Sequence, residues 1–302
     1  MERVVAPPNV QADANRLARE ALAEDGTRDI TSELTVPPHL TGTAVLEFRT
    51  AGIVAGLPYA DAVATGCGLG GIRWNVNEGD RLFSQAVIGT MQGNLRAILR
   101  AERPLLNLLQ RAAGIATLTR MYVDAIAGTG ARILHTRKTA PGLRLFDVHA
   151  VLGGGGSAHR FDLAQEVMVK DNHWRALEKT GVPLADVIRD GRARGVTRFH
   201  VEVEQAQQLE MACQAGATRL LIDNQMPEIV RAWTRVARSL APAIEVEASG
   251  GIDLTNVRVY AETGVDYISI GALTHSPKAA DVGLEVETAG DGRREKGDGE
   301  PR

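Results

Sequence analysis

Charged and small polar residues in this chain fall at the ends of short aliphatic runs, and those runs come in series. Residues 131–136 lead into Arg137 and Lys138, and residues 166–170 end on Lys170, with Asp171 and Asn172 following. The run 199–204 carries Glu202 and Glu204, and 219–224 closes on Asp223 and Asn224. Residues 244–249 end on Ser249 and pass into Gly250 and Gly251, and 267–271 ends on Gly271. His159 and Arg160 follow a run of glycines at 153–156, whose backbone N–H groups can approach an anion closely. Early ends thus supply cations, and later ends supply carboxylates and glycines. Cations suit a multiply negative substrate. Carboxylates near a sugar carbon stabilise developing positive charge, or hold ribose hydroxyls and a magnesium ion. Glycosyl or phosphoribosyl transfer fits that division.

The elements that must deliver these residues follow from the spacing. Segments with helical periodicity, such as 206–215 and 227–240, lie between most of the runs, which predicts parallel βαβ units. Over residues 114–274 this reads as an incomplete (β/α) TIM-like barrel, with an open doubly wound sheet as the competing arrangement. In a parallel barrel all C-terminal strand ends share one face, where active sites are assembled, and the last two strands often hold a phosphate. Residues 1–113 are mixed: a helix at 15–23, β-like runs at 42–48, 52–55 and 86–91, and a helix at 95–113 with a break expected at Pro104. Residues 287–302 carry no large apolar side chain and read as a disordered tail.

Bulk properties remove several function classes. The chain has 302 residues, of which 44% are hydrophobic, enough for a real core. A net charge of -3 gives no bulk attraction to nucleic acid or anionic lipid, so an anion site must be local. Cys67 and Cys213 alone cannot build a disulfide framework or a cysteine-rich metal site. The first residues lack the apolar core of a signal peptide, and no apolar run is long enough to span a membrane. A cytoplasmic protein is expected.

Several stretches together carry a resemblance: HTRKTAPGLR (135–144), HRFDL (159–163), VKDNH (169–173), VEVE (201–204), LIDN (221–224), EASGGI (247–252) and AETGVDYISIGALTHS (261–276). Earlier ones agree: EDGTRDIT (24–31), AGIVAGLP (51–58) and ERPLLNLLQRAAGIAT (102–117). In order, from about residue 15 to 286, the chain resembles the quinolinate phosphoribosyltransferase family, also called carboxylating nicotinate-nucleotide diphosphorylases.

The resemblance implies an N-terminal α/β sandwich over 1–113, to which residues 275–286 return, plus the barrel. It implies that quinolinate and phosphoribosyl pyrophosphate give nicotinate mononucleotide, pyrophosphate and carbon dioxide, with substrate-chelated Mg2+. The acid would lie among Thr136, Arg137, Lys138, His159, Arg160 and Lys170. Arg103 would enter from a neighbouring subunit, making the working unit a homodimer or larger. Glu202 and Asp223 would hold the ribose and, through water and pyrophosphate, the metal, and Lys138, Lys170, Glu202 and Asp223 would be the catalytic set. Ser249, Gly250 and Gly251, with Ile270, Gly271 and Ala272, would hold the phosphate.

One segment departs from the family pattern. Val148, His149, Leu152 and Ala158 stand where members carry a lysine, a tyrosine, an arginine and an asparagine. Two positive charges are therefore missing beside the acceptor loop. A paralogue acting on another aromatic acid is the alternative, followed by a barrel lyase that uses Lys138 or Lys170 as a Schiff base. Among single residues, Trp174 and Trp233 read as packing, His173 as a cap or a neighbour of the site, and His275 as structural. Arg132 and Arg144 read as surface or dimer residues, and Cys213 as a buried thiol.

Overall fold

A computed structural model describes residues 9–287. The chain forms two compact units: Ile115–Pro277 is one, and the described residues up to Gly114 and from Lys278 onward form the other.

The N-terminal unit contains α1 (Val10–Glu24), α2 (Ile30–Thr35), β1 (Thr41–Phe48), β2 (Gly52–Ile53), α3 (Leu57–Gly66), β3 (Arg73–Trp74), β4 (Arg81–Leu82), β5 (Ala86–Asn94) and the first part of α4 (Leu95–Ala125). The Asn9 side chain caps α1 by accepting from the Ala12 N–H, and the helix buries Ala14, Leu17 and Ala18 along one stripe. In β1, Ala44, Leu46 and Phe48 are buried while their neighbours are not, the period of two that a half-buried strand requires. β1 pairs antiparallel with β5, with a bulge at Leu46/Glu47, and the sheet extends to β3. On the other side of β1 lies β12 (Val282–Glu287), brought back from the far end of the chain. Glu287, grouped with the tail in the sequence reading, pairs with Thr43, since ladder pairing uses only its backbone. Residues 288–302 lie outside the described part.

The helix at Pro104 corrects the sequence reading. No break occurs there; α4 runs on through the proline to Ala125. Ile98, Ala101, Leu105, Leu109, Ala112 and Ala113 are all buried, so one apolar stripe holds both halves on one axis against the cost of the lost N–H. Gly114 is also fixed by packing: a Cβ there would sit 2.1 Å from the Lys278 carbonyl oxygen.

The second unit holds six parallel strands: β6 (Arg132–Leu134), β7 (Val167–Val169), β8 (Phe199–Val203), β9 (Arg219–Asp223), β10 (Glu245–Ser249) and β11 (Tyr267–Ser269). Between and around them run α5 (Arg144–Gly153), α6 (Asp171–Thr180), α7 (Leu184–Ala193), α8 (Ala206–Ala215), α9 (Pro227–Leu240), α10 (Val257–Ala261) and α11 (Ala272–His275). The strand order is β6-β11-β10-β9-β8-β7. The first strand thus pairs with the last, as in a barrel, and the ring stays open between β6 and β7. This is an incomplete TIM-like barrel and excludes the doubly wound alternative. At the open seam, Ser157 forms an isolated parallel bridge to Leu134, its N–H donating to the Ile133 carbonyl at 2.8 Å.

Candidate active site

The strand register decides which side chains reach the inside. Side chains two apart on a strand share a face. His200 and Glu202 on β8 are therefore paired, as are Glu245 and Glu247 on β10 and Tyr267 and Ser269 on β11. Beyond the strand ends the rim is built.

Lys170, just past β7, bonds through Nζ to the Glu202 carboxylate, which also accepts from the Asp171 N–H at 3.4 Å. Glu202 is only 7% exposed, so its negative charge is held between that ammonium and the start of α6. Asp223 ends β9. Burial and the adjacent Glu202 carboxylate raise its pKa above the usual carboxylate value, while a hydrogen bond from Ser249 and the charges of Lys170 and Lys138 pull the other way. Lys138 lies past β6 on the neighbouring strand position to β11; a Cβ on Gly271 would meet its Cδ at 3.2 Å. Thr274 Oγ1 donates to the Lys138 carbonyl at 2.9 Å, and the Lys138 N–H donates to Thr136 Oγ1 at 3.1 Å. Lys138, Lys170, Glu202, Asp223 and Ser249 thus share one electrostatic neighbourhood.

The turns after β9 and β10 interlock. Asn224 adopts φ 52, and its N–H donates to the Ser249 carbonyl at 2.9 Å. Gly250 has φ 87, and a Cβ there would lie 2.1 Å from Asn224 Oδ1, so both conformation and space demand glycine. Ile270 is buried and its N–H donates to the Leu134 carbonyl at 3.0 Å, tying the turn after β11 to β6.

The cationic side is more buried. Arg160 is 7% exposed; its Nη1 donates to the Glu166 carbonyl at 3.2 Å. Burial and the like charge of Arg137 lower its pKa. The Nε atoms of both Arg137 and Arg160 are buried without a hydrogen-bond partner. Buried guanidinium donors left open in this way are ready to bind an anion. Arg144, expected at the surface or a dimer contact, is half-buried, and its Nη1 donates to the Phe161 carbonyl at 2.9 Å. Arg132 is exposed.

Sequence reasoning missed an inner layer beneath this rim. His135, fully buried, accepts from the His159 N–H at Nε2 (2.9 Å), with Nδ1 3.1 Å from the Thr136 carbonyl; burial takes its pKa down to about 4. Glu247 is fully buried, with Ser269 Oγ donating to it and Arg219 Nη1 at 3.4 Å. Burial alone would raise its pKa, but His159, Arg219 and Ser269 hold it down to about 2. His200 is 1% exposed; burial and then the Arg219 charge bring its pKa to about 3. The available signal was polar residues at alternate positions within otherwise apolar strands.

His159, His200 and Glu247 offer ligand atoms that all lie within 4.8 Å of one another, close enough to hold a divalent ion. Two imidazoles suit a borderline metal better than magnesium, and the Arg219 guanidinium opposes further positive charge there.

The remaining sequence readings have definite places. Trp174 is buried and donates from Nε1 to the Glu202 carbonyl at 2.8 Å; Trp233 is half-buried on α9. His173 Nδ1 accepts from the Lys170 N–H at 3.0 Å and so caps α6. His275 Nδ1 lies 2.6 Å from Ser276 Oγ. Cys213 is buried, and both cysteines are free. Val148 is fully packed at 1% exposure, His149 and Leu152 are half-buried, and Ala158 is exposed. Arg103 lies on α4 in the N-terminal unit with its side chain 59% exposed. No helix among the described residues is long and apolar enough to cross a membrane.

An incomplete barrel whose rim sets buried arginines against carboxylates and glycine turns belongs to an enzyme handling polyanionic small molecules. Known proteins narrow this further. The family model described as quinolinate phosphoribosyl transferase, N-terminal domain, matches residues 29–113, and that of the C-terminal domain matches residues 115–285. A nicotinate-nucleotide pyrophosphorylase [carboxylating] of Mycobacterium leprae is 38% identical over 274 residues, covering 89% of this chain and 95% of that one. The structure of the nicotinate-nucleotide pyrophosphorylase from Francisella tularensis superposes with a TM-score of 0.86 at 33% identity, covering 95% of this chain and all of that one. NadC from Streptococcus pyogenes gives 0.84 at 32% identity, covering 92% and 97%. The chain belongs to the quinolinate phosphoribosyltransferase family.

Proposed function

We propose that the protein joins quinolinate to phosphoribosyl pyrophosphate, giving nicotinate mononucleotide, pyrophosphate and carbon dioxide, a step of NAD biosynthesis. The carrying observation is the pair of buried, open guanidinium Nε donors of Arg137 and Arg160 beside a rim of carboxylates and glycine turns. Two carboxylates of a planar diacid leave water only where fixed cations replace it. Arg137 and Arg160 supply planar forks, Lys170 and Lys138 rotatable point charges, and Thr136 and His159 the walls of that side.

The sugar phosphate is taken to rest on the backbone of Ser249, Gly250 and Gly251 and of Ile270, Gly271 and Ala272. The ring nitrogen attacks the anomeric carbon as pyrophosphate departs with the bonding electrons. Positive charge developing on the ribose faces Glu202 and Asp223. The adjacent ring carboxylate then leaves as carbon dioxide; the pair of the broken C–C bond stays on that ring carbon, stabilised by the neighbouring cationic nitrogen, and takes up a proton from water to give nicotinate mononucleotide. Magnesium would arrive on the pyrophosphate and neutralise it. Glu202 and Asp223 fit that ion, since burial and the Glu202 charge raise the proton affinity of Asp223, and a nearby dication would relieve that repulsion.

The other readings are weaker. A Schiff base needs a free amine, and Lys170 is engaged by Glu202. For a paralogue, the departures at His149, Leu152 and Ala158 remain relevant, whereas Val148 faces the core. We place the enzyme in the cytoplasm, in keeping with two free cysteines. Its active unit is taken as a homodimer that shares Arg103.

Pyrophosphate release across a panel of pyridine carboxylates tests the reaction; quinolinate should be required. Preference for another acid would establish the paralogue, and binding without release would refute transfer. Mixing Arg103→Ala with Lys170→Ala should restore activity through hybrid dimers; mixtures that stay inactive would remove the shared arginine.

A further inference from the structure

The histidine next to Arg160 is held from two directions, and its hydrogen-bond partners define its tautomer. The Arg160 N–H donates to His159 Nδ1 at 2.7 Å, so Nδ1 must carry a lone pair. The ring proton of the neutral form is then on Nε2, which lies 3.6 Å from Glu247 Oε2. The His159 side chain is only 7% exposed and packs edge-on to His200, with ring centroids 5.5 Å apart.

Its backbone is held as well. The His159 N–H donates to His135 Nε2 at 2.9 Å, and His135 Nδ1 is 3.1 Å from the Thr136 carbonyl. His135 therefore carries its proton on Nδ1, the reverse of His159. One clamp comes from β10 through Glu247 and the other from the end of β6 through His135. Both act on a segment that belongs to no strand, since the ring of strands is open at this seam. Glu247 is itself immobilised by Ser269 and Arg219, so the first clamp is anchored on β11 and β9 too. These ties add to the hydrogen bond from Arg160 Nη1 to the Glu166 carbonyl, which holds the guanidinium but not the backbone that carries it.

We propose that Glu247 and His135 are positioning residues of the acceptor site: by gripping the ring and the backbone of His159, they fix Arg160 where the substrate carboxylate must meet it. Neither touches the reacting atoms. The proposal rests on the quinolinate reading above and assigns the determinant of acid affinity to the layer beneath the rim.

Long-range proton–nitrogen correlation spectra of the unaltered protein, with histidine nitrogens labelled, read the two tautomers without any reaction. His159 protonated on Nε2 and His135 on Nδ1 are expected at neutral pH; the opposite tautomer at either histidine would overturn the proposal. Equilibrium dialysis of quinolinate then reads the consequence. His135→Leu removes the acceptor for the His159 N–H and should weaken quinolinate binding about tenfold, whereas His135→Gln, whose amide oxygen can replace Nε2, should stay within about threefold of the parent. Glu247→Gln should raise KM for quinolinate about tenfold and leave KM for phosphoribosyl pyrophosphate within about twofold. Equal weakening of both substrates, or no rescue by glutamine at 135, would show a merely structural role and reject the proposal. If the parent protein itself fails to bind quinolinate, the functional reading fails, and that is visible before any variant is compared.

Discussion

The two sides of the barrel rim are built from different materials. On the side proposed to take the acid, side chains dominate: Arg160 is almost fully buried, and the Arg137 and Arg160 Nε donors are desolvated. On the side proposed to take the phosphoribosyl group, the main chain dominates: Asn224, Gly250 and Gly251 all have positive φ, and the turns after β9 and β10 are bonded to each other. A diacid is recognised by a fixed pattern of charge, which guanidinium forks supply. A phosphate accepts from any well-aimed N–H, so turns with the right backbone suffice. Side-chain truncation should therefore damage the first region, and backbone restriction the second.

The largest effect should come from Arg137→Ala or Lys170→Ala. Each removes a fixed charge, and kcat/KM for pyrophosphate release should fall about a thousandfold or more, with the melting temperature little changed. Near-parental rates in either would deny these residues their role. Gly250→Ala comes next. Its methyl group would collide with Asn224 in a left-handed turn, costing roughly 3 kcal/mol in strain and overpacking and raising KM for phosphoribosyl pyrophosphate more than KM for the acid. An unchanged KM would mean that the turn does not face the phosphate.

A third test separates the buried layer from the rim by pH. His135 and His200 are held neutral, with folded pKa values near 4 and 3, below the 6.5 of a free imidazole. Between those values the unfolded chain binds more protons, so the stability that the two contribute is fully present above pH 6.5. It is lost as pH falls toward 4 and then 3, at a cost on the order of 3 kcal/mol for each by pH 4. Denaturant midpoints from pH 7 to 4 should fall steeply in the parent and less in His200→Phe; parallel curves would mean that His200 is not a buried neutral group. The smallest effect belongs to Gly251→Ala. Its φ is also positive, but no atom lies within 4 Å of a Cβ there, so only about 1 kcal/mol of backbone strain is expected. A loss as great as that of Gly250→Ala would show that the turn, not the collision, governs both.

Much of this rim was legible in the sequence because parallel strands are short apolar runs that end abruptly. All six runs became strands, and the polar residues closing them became the rim. The inner layer was not legible. His200, Glu245 and Glu247 lie inside strands, and a charged residue there takes its meaning from partners on other strands. Glu247 is understood only with Arg219, Ser269 and His159 in view, each distant in sequence. Pro104 misled for a similar reason: local backbone chemistry argues for a break, while the burial that overrides it depends on long-range packing.

The missing stave between β6 and β7 has a consequence for how such an enzyme can diversify. The part proposed to take the sugar donor hangs on strands paired with neighbours on both sides, where an insertion would throw the whole ladder out of alignment. The part proposed to take the acid is carried across the gap by residues 135–166, whose backbone bridges to the ladder at Ser157 and whose other ties are side-chain contacts such as that of His159 with Glu247. Most of that stretch lies outside the strand ladder, so exchanges at its exposed positions leave the strand pairs in place. Inheritance of the sugar donor is thereby uncoupled from the choice of acid, and new acceptors can be tried one loop at a time.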